Sequence, residues 1–289
     1  LSHRNAILIQ ALAAVMFSTS GLFIKLVTIH PLALAGARSL IAAVIVAGYI
    51  HWRQGQIRFD WSLPQVGGAL ALVGAQIFFV LANRQTTAAN AVFIQYTAPI
   101  YVALFGIWFL KEPAYRRDWL TMAAIGVGLY LFFGTQLSPQ DLLGSINALI
   151  SGICLAWFVL FLRKLKDGAT LETVLLGNLL ASLIGLPFLW GQSPTLGDWG
   201  GILFLGIFQL GLPFVLMTIA IRYLTAVDAI LIQTLEPVLN PIWVFLVIGE
   251  VPSQTALLGG GIVLVAVTVR SLLANRAYRR QRLYRPSPP

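Results

Sequence analysis

Long apolar runs, separated by short polar or proline-bearing breaks, follow one another along almost the whole chain. The pattern predicts ten helices, near 5–27, 32–50, 63–83, 88–110, 119–134, 144–162, 171–190, 199–221, 227–248 and 254–273. The runs belong to the membrane-spanning class, which needs about 20 residues at 1.5 Å rise to cross the hydrocarbon. The fifth is short. The breaks carry helix-start chemistry: Pro31, after Thr28-Ile29-His30, and Pro64 suit a first turn, where a missing amide hydrogen costs nothing. The segment 134–143 is the natural boundary between two halves, and no connection is long enough to form a domain.

Composition supports the membrane reading. Only 10% of the 289 residues are charged, too few to cover a soluble surface, since ordinary soluble domains carry about 25%. Orientation follows from Lys and Arg, which concentrate in cytoplasmic loops. Sixteen of the nineteen fall on one side: Arg4, the loops near 53–58, 111–117, 163–166 and 222, and the C-terminal stretch from Arg270 to Arg285. Both termini are therefore expected in the cytoplasm, with residues 275–289 forming a basic tail that is disordered or lies on anionic lipid. The net charge of +9 is thereby a topology signal, and no nucleic-acid partner is expected.

One stretch is written twice. QYTAPIYVALFGIWFLKEP occupies 95–113 and QTLEPVLNPIWVFLVIGEVP occupies 233–252. At an offset of 138, Arg84 falls on Arg222, Gln95 on Gln233, Pro99 on Pro237 and Glu112 on Glu250. Matches of this kind in an apolar chain indicate internal duplication. Each copy has five helices, so the second enters from the opposite side. The expected fold class is all-α, a polytopic membrane protein built as two inverted five-helix repeats, 5–134 and 144–273. Inverted repeats are the usual architecture of secondary transporters, whose halves exchange conformations around a central site. A channel needs no such exchange.

Polar groups at bilayer depth need a partner or water, which makes them candidates for function. The fourth helix carries Gln95, Tyr96 and Pro99. The ninth carries Gln233, Glu236, Pro237, Asn240 and Pro241, with the first three and Asn240 on one face by spacings of three and four. Each proline removes an N–H and frees a carbonyl, which predicts a broken or bent helix beside a cavity. Glu236 is the single acidic residue near mid-bilayer, suited to a substrate ammonium or a proton. Gln76, Phe79 and Gln209 add amides and a ring from the third and eighth helices, and Trp157 and Phe161, four apart, add aromatic area from the sixth. Such a mixture suits an amino acid with an apolar side chain. Lys25 and Arg38 are assigned structural or gating roles, as are the three prolines. Trp52, Trp61, Trp119, Trp190 and Trp199 read as interfacial anchors. The three histidines sit near helix ends or loops and Cys154 is alone, so neither a metal nor a cofactor is expected, and no enzyme.

The duplicated Gln-to-Glu-Pro stretches, together with Phe17-Ser18-Thr19-Ser20 before Gly21 and Lys25, resemble the drug/metabolite transporter superfamily, and within it the ten-helix EamA-type permeases. The second copy departs from the first by Val251 between Glu250 and Pro252. The resemblance implies a central cavity ringed by the first, third, fourth, sixth, eighth and ninth helices, with the fifth and tenth peripheral. It further implies export of amino acids, other metabolites or drugs from the bacterial cytoplasm, and is most similar to the exporters of aromatic amino acids. A secondary exporter in the cell inner membrane, functional as a monomer in contact with lipid, is the expectation. A broad drug exporter, an uptake permease and a channel are the alternatives.

Overall fold

The computed structural model describes residues 1–19, 23, 26–86, 88–133, 142–248 and 254–283. Among them the chain forms α1 (His3–Phe17), α2 (Pro31–Gln54), α3 (Leu63–Gln85), α4 in two pieces (Ala88–Gln95 and Ala98–Phe109) and α5 (Arg116–Phe133). The second half forms α6 (Leu142–Lys164), α7 (Thr170–Gly185), α8 (from Leu196 to Ala220), α9 in two pieces (Ala226–Gln233 and Leu235–Ile248) and α10 (Gln254–Leu283). Five of the described helical stretches are long and apolar enough to cross a membrane: Pro31–Gln54, Leu63–Ala82, Leu142–Lys164, Thr170–Leu189 and Leu196–Ala220. α10 runs ten residues past the expected end at 273, so the start of the basic tail continues the helix.

Local chemistry sets the helix starts. Ser62 accepts a hydrogen bond from the Gln65 amide and Pro64 sits in the first turn of α3; Pro31 does the same for α2. Thr195 and Asp198 form a reciprocal capping box at α8. Gly55 ends α2 at φ 74°, a left-handed conformation that side chains with a Cβ resist.

The two halves pack as images of each other. α3 lies on α6 and α7, and correspondingly α8 lies on α1 and α2. The equivalent pairs α2 and α7, α4 and α9, and α5 and α10 meet across the centre. Each pair runs antiparallel. Glu112, just past α4, accepts from the Ala226 amide that starts α9 (3.2 Å). Asp118 in the first turn of α5 bonds Arg270, far along α10. The start of α2 touches the end of α7 so closely that a Cβ on Gly36 would lie 2.6 Å from the Gly185 carbonyl carbon. The repeats are thus inverted, as parity requires. Small residues let α5 and α10 approach at Gly128, where a Cβ would sit 2.8 Å from the Gly259 oxygen, while Gly126 and Gly261 face open space.

Fully buried Phe158, Leu160, Leu162, Ile221, Ile230 and Leu231 anchor the core between the halves. Large apolar side chains such as Leu8, Val44, Leu70 and Leu183 point outward, as a hydrocarbon solvent permits. Trp52, Trp61 and Trp190 are likewise exposed.

Candidate functional site

A cavity of about 120 Å³ lies between the halves. Its position follows from two helix breaks. The first piece of α4 and the first piece of α9 are each eight residues long and end on Gln95 and Gln233, the pair related by the 138-residue offset. Pro99 and Pro237 have no N–H to offer the carbonyls of these glutamines four residues back, and their rings crowd them. A threonine marks each break: Thr97 Oγ1 donates to the Ile94 carbonyl and Thr234 Oγ1 to the Leu231 carbonyl, both at 2.6 Å. Hydroxyls that bond back along a helix in this way favour bending. α8 contributes a third irregularity, a π-helical stretch Leu205–Gly211 that carries the buried Gln209. Such wide turns recur at functional sites.

Glu236 receives a hydrogen bond from Gln233 Nε2 at 2.9 Å and shares the cavity wall with Tyr96. Gln233 Oε1 in turn accepts from Gln10 Nε2 at 3.1 Å, and the same nitrogen lies 3.4 Å from the Ala229 carbonyl. Arg38, 6% exposed, donates from Nη1 to Gln209 Oε1 at 3.2 Å. Its Nε has no partner, nor has Gln76 Nε2, although Gln76 Oε1 accepts from Ser39 Oγ at 3.0 Å. Gln95 Nε2 donates to Ser151 Oγ, which donates to the Ala75 carbonyl, both at 2.7 Å. A cation and a carboxylate thus border one small cavity without forming an ion pair. Phe17, Phe79, Phe158 and Phe214 supply apolar wall.

Of the residues singled out in the sequence, Gln76, Phe79, Gln95, Tyr96, Gln209, Gln233 and Glu236 line this cavity. Arg38, expected in a structural or gating role, lines it too and brings α2 into a ring where that helix was not expected. Trp157 and Phe161 are corrections. Trp157 stacks on Phe105 with centroids 5.2 Å apart, and Phe161 covers Gly67 and Gly68 of α3; neither lines the cavity. Their face of α6 packs on α3 and α4, while Phe158 on another face reaches the cavity. Pro99 is buried beside Tyr96 and Met122, toward α5. Pro237 is buried in the first turn after the break. Lys25 and the side chains of Asn240 and Pro241 lie outside the described residues. Gln10, Ser39 and Ser151 were missed, though a lone polar residue inside an apolar run was the available signal.

A sequence profile described as the EamA-like transporter family matches residues 4–134 and again 142–272. The chain belongs to this family. It is a multi-pass membrane transporter. Among characterised relatives, the threonine/homoserine exporter RhtA of Escherichia coli K12 is 28% identical over 77% of this chain and 75% of its own length. RhtA of Salmonella typhimurium SL1344 is 28% identical over 82% and 79%. The uncharacterised transporter YxxF of Bacillus subtilis 168 is 24% identical over 81% and 78%. A solved crystal structure superposes with a TM-score of 0.83 at 20% identity, over 95% of this chain and all of the other, so the two share a fold.

Proposed function

We propose that this protein exports small, polar amino acids across the bacterial inner membrane by alternating access. The observation that carries the reading is the placement of Arg38 and Glu236 on one cavity without an ion pair between them. A zwitterionic amino acid holds a carboxylate and an ammonium on one carbon. Arg38 suits the first, being planar and a fork of donors. Glu236 suits the second. Gln76, with an amide nitrogen still unpartnered, suits a side-chain hydroxyl. The volume of about 120 Å³ is below the roughly 150 Å³ of an engineered cavity that accepts benzene. That favours a short side chain over the larger apolar or aromatic ones that the sequence and its resemblance suggested. The threonine/homoserine export of the RhtA relatives points the same way.

In this reading residues 5–134 and 144–273 are the two moving units and a single copy suffices. The basic end of the bundle, where α1 starts and α10 ends, faces the cytoplasm. Counterflow of labelled threonine, homoserine and phenylalanine in proteoliposomes, with and without a proton gradient, tests it. Threonine or homoserine is expected to exchange faster than phenylalanine. Glu236→Gln and Arg38→Met are each expected to reduce exchange at least about tenfold, the equivalent of one lost charge-assisted contact. Preference for phenylalanine would overturn the substrate class. Ion conduction without counterflow would overturn alternating access.

A further inference from the structure

Away from the central cavity, α5 and α10 leave a lateral groove of about 700 Å³ between them. We propose that this groove is a binding site for one anionic phospholipid, with its phosphate at Arg117 and Arg270 and one acyl chain along the apolar wall.

The argument starts from the head of the groove. Arg270 is 5% exposed and lines it. Its Nε binds Asp118 and its Nη2 binds Asp228 at 2.8 Å, but Nη1 has no partner. Arg117 also lines the groove, with its guanidinium 5.1 Å from the Tyr115 ring and its buried Nε unpartnered. A buried donor without an acceptor is costly, and two at one site call for an anion. Formal charge agrees: Arg116, Arg117 and Arg270 against Asp118 and Asp228 leave one positive charge (3 − 2).

The wall identifies what carries the anion. Leu120, Leu258 and Val265 are 72%, 66% and 64% exposed along the groove, which no polar ligand would favour. From Leu258 to Arg270 α10 advances about 18 Å, enough for the roughly 15 Å of one leaflet's hydrocarbon. The groove therefore has a charged head and an apolar length in the proportions of a lipid. A second copy of the chain packing an apolar helix here would leave both guanidinium nitrogens unsatisfied. The groove has free space at Gly261, where a Cβ built on the backbone meets nothing within 4 Å.

Native mass spectrometry and thermal unfolding of the delipidated full chain test the site. The probes are phosphatidylglycerol, phosphatidylcholine, glycerol phosphate and inorganic phosphate. Retention of one phosphatidylglycerol, with a raised Tm, is expected, and phosphatidylcholine should be retained about tenfold less. Arg117→Gln removes no internal hydrogen bond of the Nε and should lower phosphatidylglycerol retention about tenfold. Gly261→Phe fills the groove and should abolish retention while the protein still unfolds cooperatively. Equal retention of the two lipids, or retention unmoved by both variants, overturns the proposal. So does an equal thermal shift with glycerol phosphate or inorganic phosphate, which would mean an anion site without a lipid. A lipid-independent dimer dispersed by Gly261→Phe would assign the groove to a second copy instead.

Discussion

Glu236 is held through a chain of side chains that starts on the first helix: Gln10 to Gln233 to Glu236. Gln10 is fully buried and touches no cavity surface, so it positions Gln233 instead of meeting a substrate. Gln10→Leu keeps much of the volume but leaves Gln233 Oε1 without its donor. A loss of about 1–3 kcal/mol is expected from that orphaned acceptor, measurable by thermal or denaturant unfolding. Gln233 is then free to turn from Glu236, so the variant should also slow counterflow several-fold and move its pH profile. An unchanged profile with lowered stability would leave Gln10 as packing alone. The neighbouring Glu236→Gln should flatten the pH profile, because the group that titrates is gone. Glu236 was legible in the sequence as an acid among apolar residues. Gln10 was equally polar, but its partner lies 223 residues away and its significance is invisible without that contact.

At the scale of helices, the two breaks are the feature that opens the centre. Pro237 denies Gln233 its intrahelical partner, and Pro99 does the same to Gln95. Pro237→Ala restores the N–H at this position and should let α9 run on through Thr234. We expect a rise in Tm of a few degrees, since alanine is favoured over proline inside a helix by up to about 3 kcal/mol. Transport should fall at the same time, because the straightened helix withdraws Gln233 and Glu236 from the cavity. Thermal unfolding and counterflow on the same preparation read both effects, and faster transport would show that the break is not required. The proline spacing made a bend predictable. Its location, before Pro237 and at Thr234, depends also on the threonine hydroxyl bonding back to Leu231. The π-helical stretch that holds Gln209 had no such marker. It fits Gly206 against Ile41 and Gly211 against Ile45, a match made by α2 and not by α8 itself.

For the molecule as a whole, inversion places equivalent loops at opposite ends. The ties at the basic end join the halves: Glu112 to Arg163 at 2.8 Å, Asp118 to Arg270, and the His3 ring to the Tyr223 carbonyl at 2.9 Å. The other end is joined by the Thr28 amide to Asp198 at 2.7 Å and the His30 amide to Gln192 at 2.8 Å. Cysteines at positions 112 and 250, in a chain whose native Cys154 is replaced, should react with an impermeant thiol reagent from opposite sides. Position 112 is expected to label from the cytoplasm and 250 from outside; labelling from one side would be incompatible with an inverted pair. Position 250 lies outside the described residues, so this measurement adds to the structure. Breaking the Glu112–Arg163 tie with Arg163→Met should raise reactivity of a cysteine at position 75, on the cavity wall, toward a reagent added at the basic end.

The sequence alone determined the helical spans, the doubling and the polar candidates on α3, α4, α8 and α9. These depend on rules that act along the chain: hydrocarbon demands helices with internally satisfied backbone, proline removes a donor wherever it stands, and an odd number of spans reverses the next copy. Tertiary structure decided which apolar residues line the cavity. Trp157 and Phe158 are adjacent on α6, yet the first stacks on Phe105 and the second reaches the cavity. In a membrane an apolar side chain carries no mark of whether it faces lipid, another helix or a substrate, since all three are equally dry. Only the neighbours that close around it assign the role, as they did in bringing Arg38 beside Gln209 and Gln10 beside Gln233.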